Sequence, residues 1–213
     1  MILIEDKLYK LHKKCSKGIK EKELLELIWI HSKIVEETGL LIADNLEEKW
    51  GIKTNRKLIK QGALVHDIGA YACYEPVRKD VPPYIRHGEI GYEILIKEGF
   101  SKDVARFALV HIGVGMSKEN IKENLLPLRE IDYIPITTEE EIVAYADNFH
   151  SKANPSFIDF EDAKNNLIRH YQPSGILFER FQKKFGIPDL RKIENKYQNW
   201  HEKMKKIVIE FKR

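Results

Sequence analysis

The stretch GALVHDIGAY, residues 62–71, places a histidine and an aspartate side by side inside a run that is otherwise small and apolar. Such a run is typical of a buried helix, so His66 and Asp67 lie where the core should be continuous. Burying an unpaired imidazole or carboxylate costs several kcal/mol. We therefore expect these two side chains to share a partner that compensates for their burial.

Three more polar side chains lie on apolar helical faces. Each follows apolar residues three and four positions earlier, which places it on the buried side of its helix. They are His31, His111 and Asp147. A single histidine in such a position is most often a hydrogen-bonded core residue. Together with the His-Asp pair, however, the set favours a bound metal, whose ordinary ligands are imidazole nitrogens and carboxylate oxygens. His87, between a proline-rich loop and a helix start, is a further candidate.

Apolar residues recur at helical spacing along nearly the whole chain, and the alternation typical of strands is almost absent. Ser101 and Thr137 are predicted helix N-caps, and acidic residues follow Thr137 in the first turn. Residues 75–86 contain three prolines and are predicted to form a loop, as are residues 116–137 apart from a short helix. The sequence therefore predicts an all-α fold, a compact helical bundle.

We expect three parts in this fold. An N-terminal helical extension covers residues 1–21, the central bundle covers residues 22–152, and a C-terminal helical extension, residues 153–213, packs on the bundle. The candidate ligands all lie in the central part.

Composition gives no support to several classes of function. Lys and Arg number 36 against 33 Asp and Glu, a net charge of +3, which argues against a nucleic-acid partner. Cys15 and Cys73 are far apart and form no CxxC motif, so neither a disulfide framework nor a cysteine zinc site is expected. No run approaches the ~20 apolar residues of a membrane span, and Glu5 and Asp6 interrupt the N-terminus where a signal peptide would be apolar. We expect a cytoplasmic protein.

The remaining histidines are interpreted individually. His150 lies three residues after Asp147 on the predicted helix face, and we expect it to contact a ligand from behind. His12 and His201 lie in lysine-rich polar helices and are expected at the surface. His170 falls outside the region of the candidate ligands.

The motif HDIG at residues 66–69 resembles that of the HD-domain metal-dependent phosphohydrolases, specifically the HDIG subset. The family order is a histidine, the His-Asp pair and a distant aspartate, with two further histidines in between in members that bind two metals. This chain has all of these residues in that order. They are His31, His66, Asp67, His87, His111 and Asp147. The resemblance covers residues 22–152 and implies an HD-domain helical bundle.

The resemblance implies two divalent transition metal ions per chain, of iron, manganese, cobalt, nickel or zinc. One would bind His31, His66, Asp67 and Asp147; the second would share Asp67 as a bridge and bind His87 and His111. A metal-bridging hydroxide would then hydrolyse a phosphomonoester or phosphodiester of a nucleotide or another small phosphorylated metabolite, with Asp67 as the catalytic residue. Arg86 and Lys152 are the candidate cations for the phosphate oxygens.

Two other functions remain open from the sequence. A mixed-valence diiron oxygenase on the same fold would use the same ligand order, and a non-catalytic HD module would hold its metals for structure or regulation. The chain also departs from better-known members, because no lysine follows the His-Asp pair and the fifth ligand is followed by IGVG, residues 112–115. We expect a monomer or a homodimer.

Overall fold

The computed structural model describes residues 4–18, 21–74 and 82–207 of the chain. In these ranges it contains ten α-helices, two short 3₁₀ helices and one two-stranded antiparallel hairpin. The α-helices are α1 (Ile4–Cys15), α2 (Glu21–Trp50), α3 (Arg56–Val65), α4 (His87–Lys97), α5 (Lys102–Val110), α6 (Lys118–Glu123), α7 (Thr138–Asp147), α8 (Phe160–His170), α9 (Ser174–Phe185) and α10 (Arg191–Met204). The predicted all-α fold is confirmed.

The short elements connect these helices. The first 3₁₀ helix, Ile68–Cys73, follows α3, and the second, Tyr84–Arg86, leads directly into α4. The hairpin follows α7 and pairs β1 (His150–Ser151) with β2 (Ser156–Phe157). Part of the predicted proline-rich loop, residues 75–81, lies outside the described residues, as do residues 1–3, 19–20 and 208–213 of the two predicted extensions.

Local sequence explains where several helices begin. The Thr137 hydroxyl accepts from the Glu140 backbone amide, and the Glu140 carboxylate accepts from the Thr137 amide in return, so α7 starts with a complete capping box. Ser101 accepts from the Val104 amide at the start of α5. Both caps agree with the sequence prediction.

Two apolar clusters flank the central helix α2. One joins the C-terminal half of α2 to α7, α9 and α10, and includes Ile42 and Phe178. The other joins the N-terminal half of α2 to α1, α3, α4 and α5, and includes Ile28 and Leu64. Along α2, His31 falls between the stretches that supply these clusters. The polar side chains around His31 therefore lie between two apolar cores, whose close packing fixes the helices on either side.

The segment from Met116 to Thr137 contains the predicted short helix, α6, and is fixed by polar contacts. Met116 and Tyr133 form a backbone bridge. The buried Glu89 carboxylate of α4 accepts from Tyr133 Oη and from the Arg129 side chain and backbone. The long loop is therefore tied to the helix that begins with His87.

The C-terminal helix α10 lies against α2. Lys203 pairs with Glu26, and Lys196 and the Tyr197 hydroxyl both contact Glu37. Tyr197 is also buried, which adds apolar contact to these polar ones. None of the helices in the described ranges has the length and apolar composition that crossing a bilayer requires.

Candidate metal centre

The turn after α3 places the His-Asp pair in the interior. His66 closes α3 and Asp67 precedes the first 3₁₀ helix, and both side chains are 0 % exposed. Gly69 then lets this turn approach α4 closely, because a Cβ at this position would lie 2.0 Å from the His87 carbonyl oxygen and 2.5 Å from the Gly91 nitrogen. The glycine of the motif thus brings His87 to the aspartate.

Four histidines point their Nε2 atoms toward one another in two pairs. His31 Nε2 and His66 Nε2 are 3.2 Å apart, and His87 Nε2 and His111 Nε2 are 2.8 Å apart. The rings of His66 and His111 also pack edge to face at 4.8 Å, so the two pairs adjoin. Four separate helical segments supply these side chains, as the sequence predicts.

The opposite ring nitrogens fix the tautomers of three of these histidines. Nδ1 lies within hydrogen-bond distance of a backbone carbonyl in His66 (Ala63, 2.6 Å), His87 (Tyr84, 2.5 Å) and His111 (Ala108, 2.8 Å). A carbonyl only accepts, so Nδ1 carries the proton and a neutral ring keeps its lone pair on Nε2. Two facing lone pairs repel unless a cation lies between them, which is how metal-binding histidines are arranged.

The two carboxylate oxygens of Asp67 face different histidine pairs. Oδ2 lies 3.4 Å from His31 Nε2 and 3.7 Å from His66 Nε2. Oδ1 lies 3.4 Å from His87 Nε2 and 3.5 Å from His111 Nε2. These separations are too long for hydrogen bonds and suit atoms that share a metal ion. Neither oxygen accepts a hydrogen bond of normal geometry from any residue that the structure describes.

Asp147, the last residue of α7, completes the first group. Its Oδ1 lies 2.9 Å from His31 Nε2 and 3.3 Å from His66 Nε2. A buried cation already faces these donors, because Lys152 Nζ lies 2.5 Å from Asp67 Oδ2 and 3.0 Å from His31 Nε2. Imidazole nitrogens grouped around two carboxylates fit divalent transition metals.

Comparison with known proteins decides the family. The HD domain model matches residues 28–152, more than half of the chain. The chain belongs to the HD-domain family. The HDIG subset stays a prediction from the motif at residues 66–69. The matched segment contains every ligand candidate, and HD domains depend on metal for their activity.

Three curated relatives match part of the chain. An uncharacterised protein of Methanocaldococcus jannaschii is 39 % identical over 118 residues, which cover 55 % of this chain and 63 % of that protein. A tRNA (cytidine(56)-2′-O)-methyltransferase of Picrophilus torridus is 33 % identical over 137 residues, 64 % of this chain and 35 % of the relative. The dihydroneopterin 2′,3′-cyclic phosphate phosphodiesterase of M. jannaschii is 30 % identical over 131 residues, 58 % and 46 % respectively. The chain spans less than two thirds of each relative.

Solved structures with a similar chain path include the HD domain of the L. monocytogenes phosphodiesterase PgpH. That chain is 18 % identical, with a TM-score of 0.45, and the alignment covers 87 % of this chain and 97 % of the other. A second structure of the same domain, in complex with cyclic-di-AMP, has a TM-score of 0.46.

Ionisation in the HD centre suits metal binding. Burial, and next the Lys152 ammonium, lower the pKa of His31 to about 4. Burial and the nearby His111 lower the pKa of His87 to about 3. Burial alone would raise the pKa of Asp67, but Lys152 and His66 hold it well below its usual range. His31 and His87 are therefore neutral beside a charged Asp67 carboxylate near neutral pH.

His150 does contact a ligand candidate, but from a different element than predicted. Helix α7 ends at Asp147, and His150 opens strand β1, where its Nδ1 lies 2.8 Å from His31 Nδ1. Burial is the largest cause that lowers the pKa of His150 well below its usual value. His150 is therefore a neutral ring that contacts His31 at Nδ1, while Nε2 of His31 faces the other ligand candidates.

The prediction that His12 and His201 lie at the surface is wrong. His12 is 0 % exposed and contacts the Tyr71 hydroxyl and the Leu64 carbonyl, while His201 is 7 % exposed and contacts His150. Lysines surround both histidines in sequence, but they occupy the other faces of the helices. The available signal was periodicity, since His12 follows Leu8 by four residues and His201 follows Tyr197 by four.

The two predicted phosphate-binding cations occupy different positions. Lys152 lies inside the centre, against Asp67. Arg86 has a side chain that is 43 % exposed, and its Nε donates to Glu89, so the structure does not bring it into the ligand group. Sequence reasoning missed Tyr84, whose ring stacks on that of His87 with centroids 4.4 Å apart. A tyrosine three residues before a ligand, at a helix start, was the only signal for it.

Proposed function

We propose that this HD domain is a metal-dependent phosphohydrolase with two divalent metal ions. The orientation of the Asp67 carboxylate carries the proposal, because its Oδ2 faces one histidine pair and its Oδ1 faces the other. A carboxylate can bridge two metals through its two oxygens, whereas an imidazole cannot. Asp147 adds a second carboxylate, whose Oδ1 lies within 3.3 Å of both histidines of the first pair.

The residues sort into two ligand sets on these distances. The first set is His31, His66, Asp67 and Asp147, and the second is Asp67, His87 and His111. Two divalent ions, when bound, supply an acidified water at neutral pH and screen the charge of the phosphoryl oxygens. The chain itself holds His31 and His87 neutral and Asp67 charged, and it keeps Asp67 fixed between the two histidine pairs.

Lys152 is proposed to bind a non-bridging phosphate oxygen of the substrate. Its ammonium is buried beside Asp67 and reaches the centre from the hairpin that follows α7. A buried lysine makes a strong charge-assisted hydrogen bond to phosphate. Arg86 is proposed for the rim, where its exposed side chain, paired with Glu89, can contact a more distant part of the substrate.

We propose a small phosphodiester or phosphomonoester, of a nucleotide or a related metabolite, as the substrate. The relative that is named as a dihydroneopterin 2′,3′-cyclic phosphate phosphodiesterase supports the phosphodiester in particular. The near balance of charges over the chain, a net +3, supports a small substrate over a long nucleic acid, which is bound through many cationic contacts.

The experiment that tests this proposal combines elemental analysis of bound metal with assays of phosphate ester hydrolysis. Untagged protein is purified without oxygen, its metals are measured by elemental analysis, and hydrolysis is assayed on phosphomonoesters, linear dinucleotides and 2′,3′-cyclic nucleotides. About two metals per chain with hydrolysis of one substrate class is the expected result. Two irons with oxygen consumption and no hydrolysis would replace the proposal by an oxygenase, and intact metals without either reaction would indicate a non-catalytic module.

A further inference from the structure

His31 is held differently from the other three histidines of the centre. His66, His87 and His111 each place Nδ1 on a backbone carbonyl, which cannot donate. His31 instead places Nδ1 2.8 Å from Nδ1 of His150, an imidazole that donates or accepts according to its tautomer. Contact with His150 alone therefore does not decide which nitrogen of His31 carries the proton.

A third imidazole continues the series. His150 Nε2 lies 3.0 Å from Nε2 of His201, which stands on α10 near the end of the described chain. His150 is 4 % exposed and His201 7 %, so water has little access to either ring. The three rings form one hydrogen-bonded row from the ligand group to the C-terminal helix.

The direction of the row determines whether His31 can bind a metal. If His201 Nε2 accepts, His150 donates from Nε2 and accepts at Nδ1, so His31 carries its proton on Nδ1 and offers the Nε2 lone pair. If His201 Nε2 donates, every bond reverses and His31 Nε2 carries a proton that blocks coordination. Lys152 Nζ, 3.0 Å from His31 Nε2, favours the first direction because an ammonium only donates, and a metal bound at this nitrogen needs the same lone pair. Asp147 Oδ1, 2.9 Å from the same nitrogen, only accepts and favours the second direction in the metal-free chain.

We propose that His201 is a positioning residue which, through His150, fixes the metal-binding tautomer of His31. Helix α10 thus contributes to the affinity of the first metal site although it supplies no ligand. This inference rests on the proposed function, because it assumes that His31 binds a metal. It adds a residue that lies about fifty positions beyond the nearest ligand candidate in sequence and outside the matched HD segment.

Two substitutions at His201 separate hydrogen bonding from packing. In H201Q the amide oxygen can accept from His150 Nε2, whereas in H201L a side chain of similar size cannot. We expect H201L to weaken zinc binding about tenfold, which is the lower end of the loss usually caused by removing a hydrogen-bonding partner of a metal ligand. We expect the zinc affinity of H201Q to stay within about threefold of wild type. Zinc affinity is measured on the full chain by competition with a chromophoric chelator.

Met204→Ala is the matched control. Met204 is 1 % exposed on the same helix, so its truncation loosens the docking of α10 without removing an imidazole. Thermal unfolding of each metal-free variant shows how far α10 is destabilised. If M204A lowers zinc affinity as much as H201L at equal loss of stability, packing alone explains the effect and the inference is overturned.

Nitrogen NMR of the wild-type chain tests the same point without any substitution. In zinc-loaded protein with ¹⁵N-labelled histidine, we expect His150 to be protonated at Nε2 and unprotonated at Nδ1. The reverse tautomer would overturn the inference. If His31→Ala binds zinc like wild type, the first metal site itself fails; if His31→Ala loses zinc while H201L and H201Q match wild type, only the role of His201 fails.

Discussion

At the scale of single residues, substitution of Asp67 is expected to have the largest effect on hydrolysis and on metal content. Asp67→Asn keeps the shape of the side chain but removes the charge that two metals would share, and its amide nitrogen cannot act as a ligand. We expect hydrolysis at background level and fewer than about one metal per chain instead of two, measured by phosphate release and elemental analysis. Asp103→Asn, an exposed aspartate in the first turn of α5, is the control.

Native metal content together with near-native turnover in Asp67→Asn would contradict the bridging role. The variant also leaves Lys152, whose side chain is 13 % exposed, beside an amide. A buried cation without its counter-charge is unfavourable, so metal-free Asp67→Asn should also unfold at lower temperature than wild type.

His111 tests the second ligand set separately. His111→Ala removes one of two histidines that face Asp67 Oδ1 and leaves the first set untouched. We expect about one metal per chain to remain and hydrolysis to fall sharply, in the same two assays. His170→Ala, at the exposed end of α8, should keep both metals. Two retained metals in His111→Ala would mean that His111 is not a ligand.

The sequence predicts the ligand candidates other than His87 because they break an apolar pattern. His31 and His111 were identifiable on that ground, and the structure brings both to Asp67. His201 was not identifiable as buried, because its helix is rich in lysine. The buried face of this helix is recognised only when Tyr197 and Met204 are taken together as one apolar face. Lys152 follows a helix end, where no periodicity exists, so its deep burial could not be predicted.

At the scale of elements, Gly69 decides how closely the first 3₁₀ helix approaches α4. In Gly69→Ala the new methyl group meets backbone atoms of His87 and Gly91, which cannot move aside as a flexible side chain could. We expect a loss of about 1–3 kcal/mol in the free energy of unfolding and weaker zinc binding by the second ligand set. Urea unfolding and zinc titration measure the two effects.

Gly39→Ala provides the comparison for that variant. Gly39 lies within α2, where alanine is the better helix former, and its Cβ would meet the Cγ2 methyl group of Ile59 at 3.3 Å, a side-chain atom rather than backbone. This variant should be much closer to wild type in both measurements. If Gly69→Ala matches wild type in stability and in zinc binding, the turn can accommodate a methyl group at this position and the argument from close approach is wrong.

The docking of α1 should give the protein a proton-linked stability. Burial lowers the pKa of His12 to about 4, although its contact with the Leu64 carbonyl partly opposes this shift. An unfolded histidine has a pKa near 6.5, so between the two values the unfolded chain binds more protons. The stability from neutral His12 is thus complete above pH 6.5 and is lost progressively as the pH falls toward 4.

His12→Gln removes this titration. Each excess proton bound by the unfolded chain changes the free energy of unfolding by about 1.4 kcal/mol per pH unit. We expect His12→Gln to be less stable overall at pH 7 but to lose stability with a shallower slope between pH 6.5 and 4, in urea unfolding at a series of pH values. Parallel curves for variant and wild type would mean that His12 is not buried in its neutral form.

At the scale of the whole molecule, helix content was predictable because it depends on local periodicity and caps such as Thr137. The arrangement around α2 was not, because it depends on which helices meet. The dependence of α4 on the long loop, through Glu89, Arg129 and Tyr133, joins positions about forty residues apart that no local pattern connects. The same holds for the contact of α10 with the hairpin through His150 and His201.

Because the ligand candidates come from separate helices, metal binding should stabilise the fold as a whole. Zinc at one hundred times its dissociation constant adds about 2.7 kcal/mol, which raises the melting temperature by roughly 5–10 °C in a chain of this size. Asp67 and Asp147 outweigh burial and raise the pKa of His66 above 6.5. As the pH falls through that raised value, a proton competes with zinc for His66 and stabilises the metal-free fold instead. The zinc-induced shift in calorimetry should therefore be largest at pH 8 and shrink steadily toward pH 6, and a shift independent of pH would remove His66 from the ligand set.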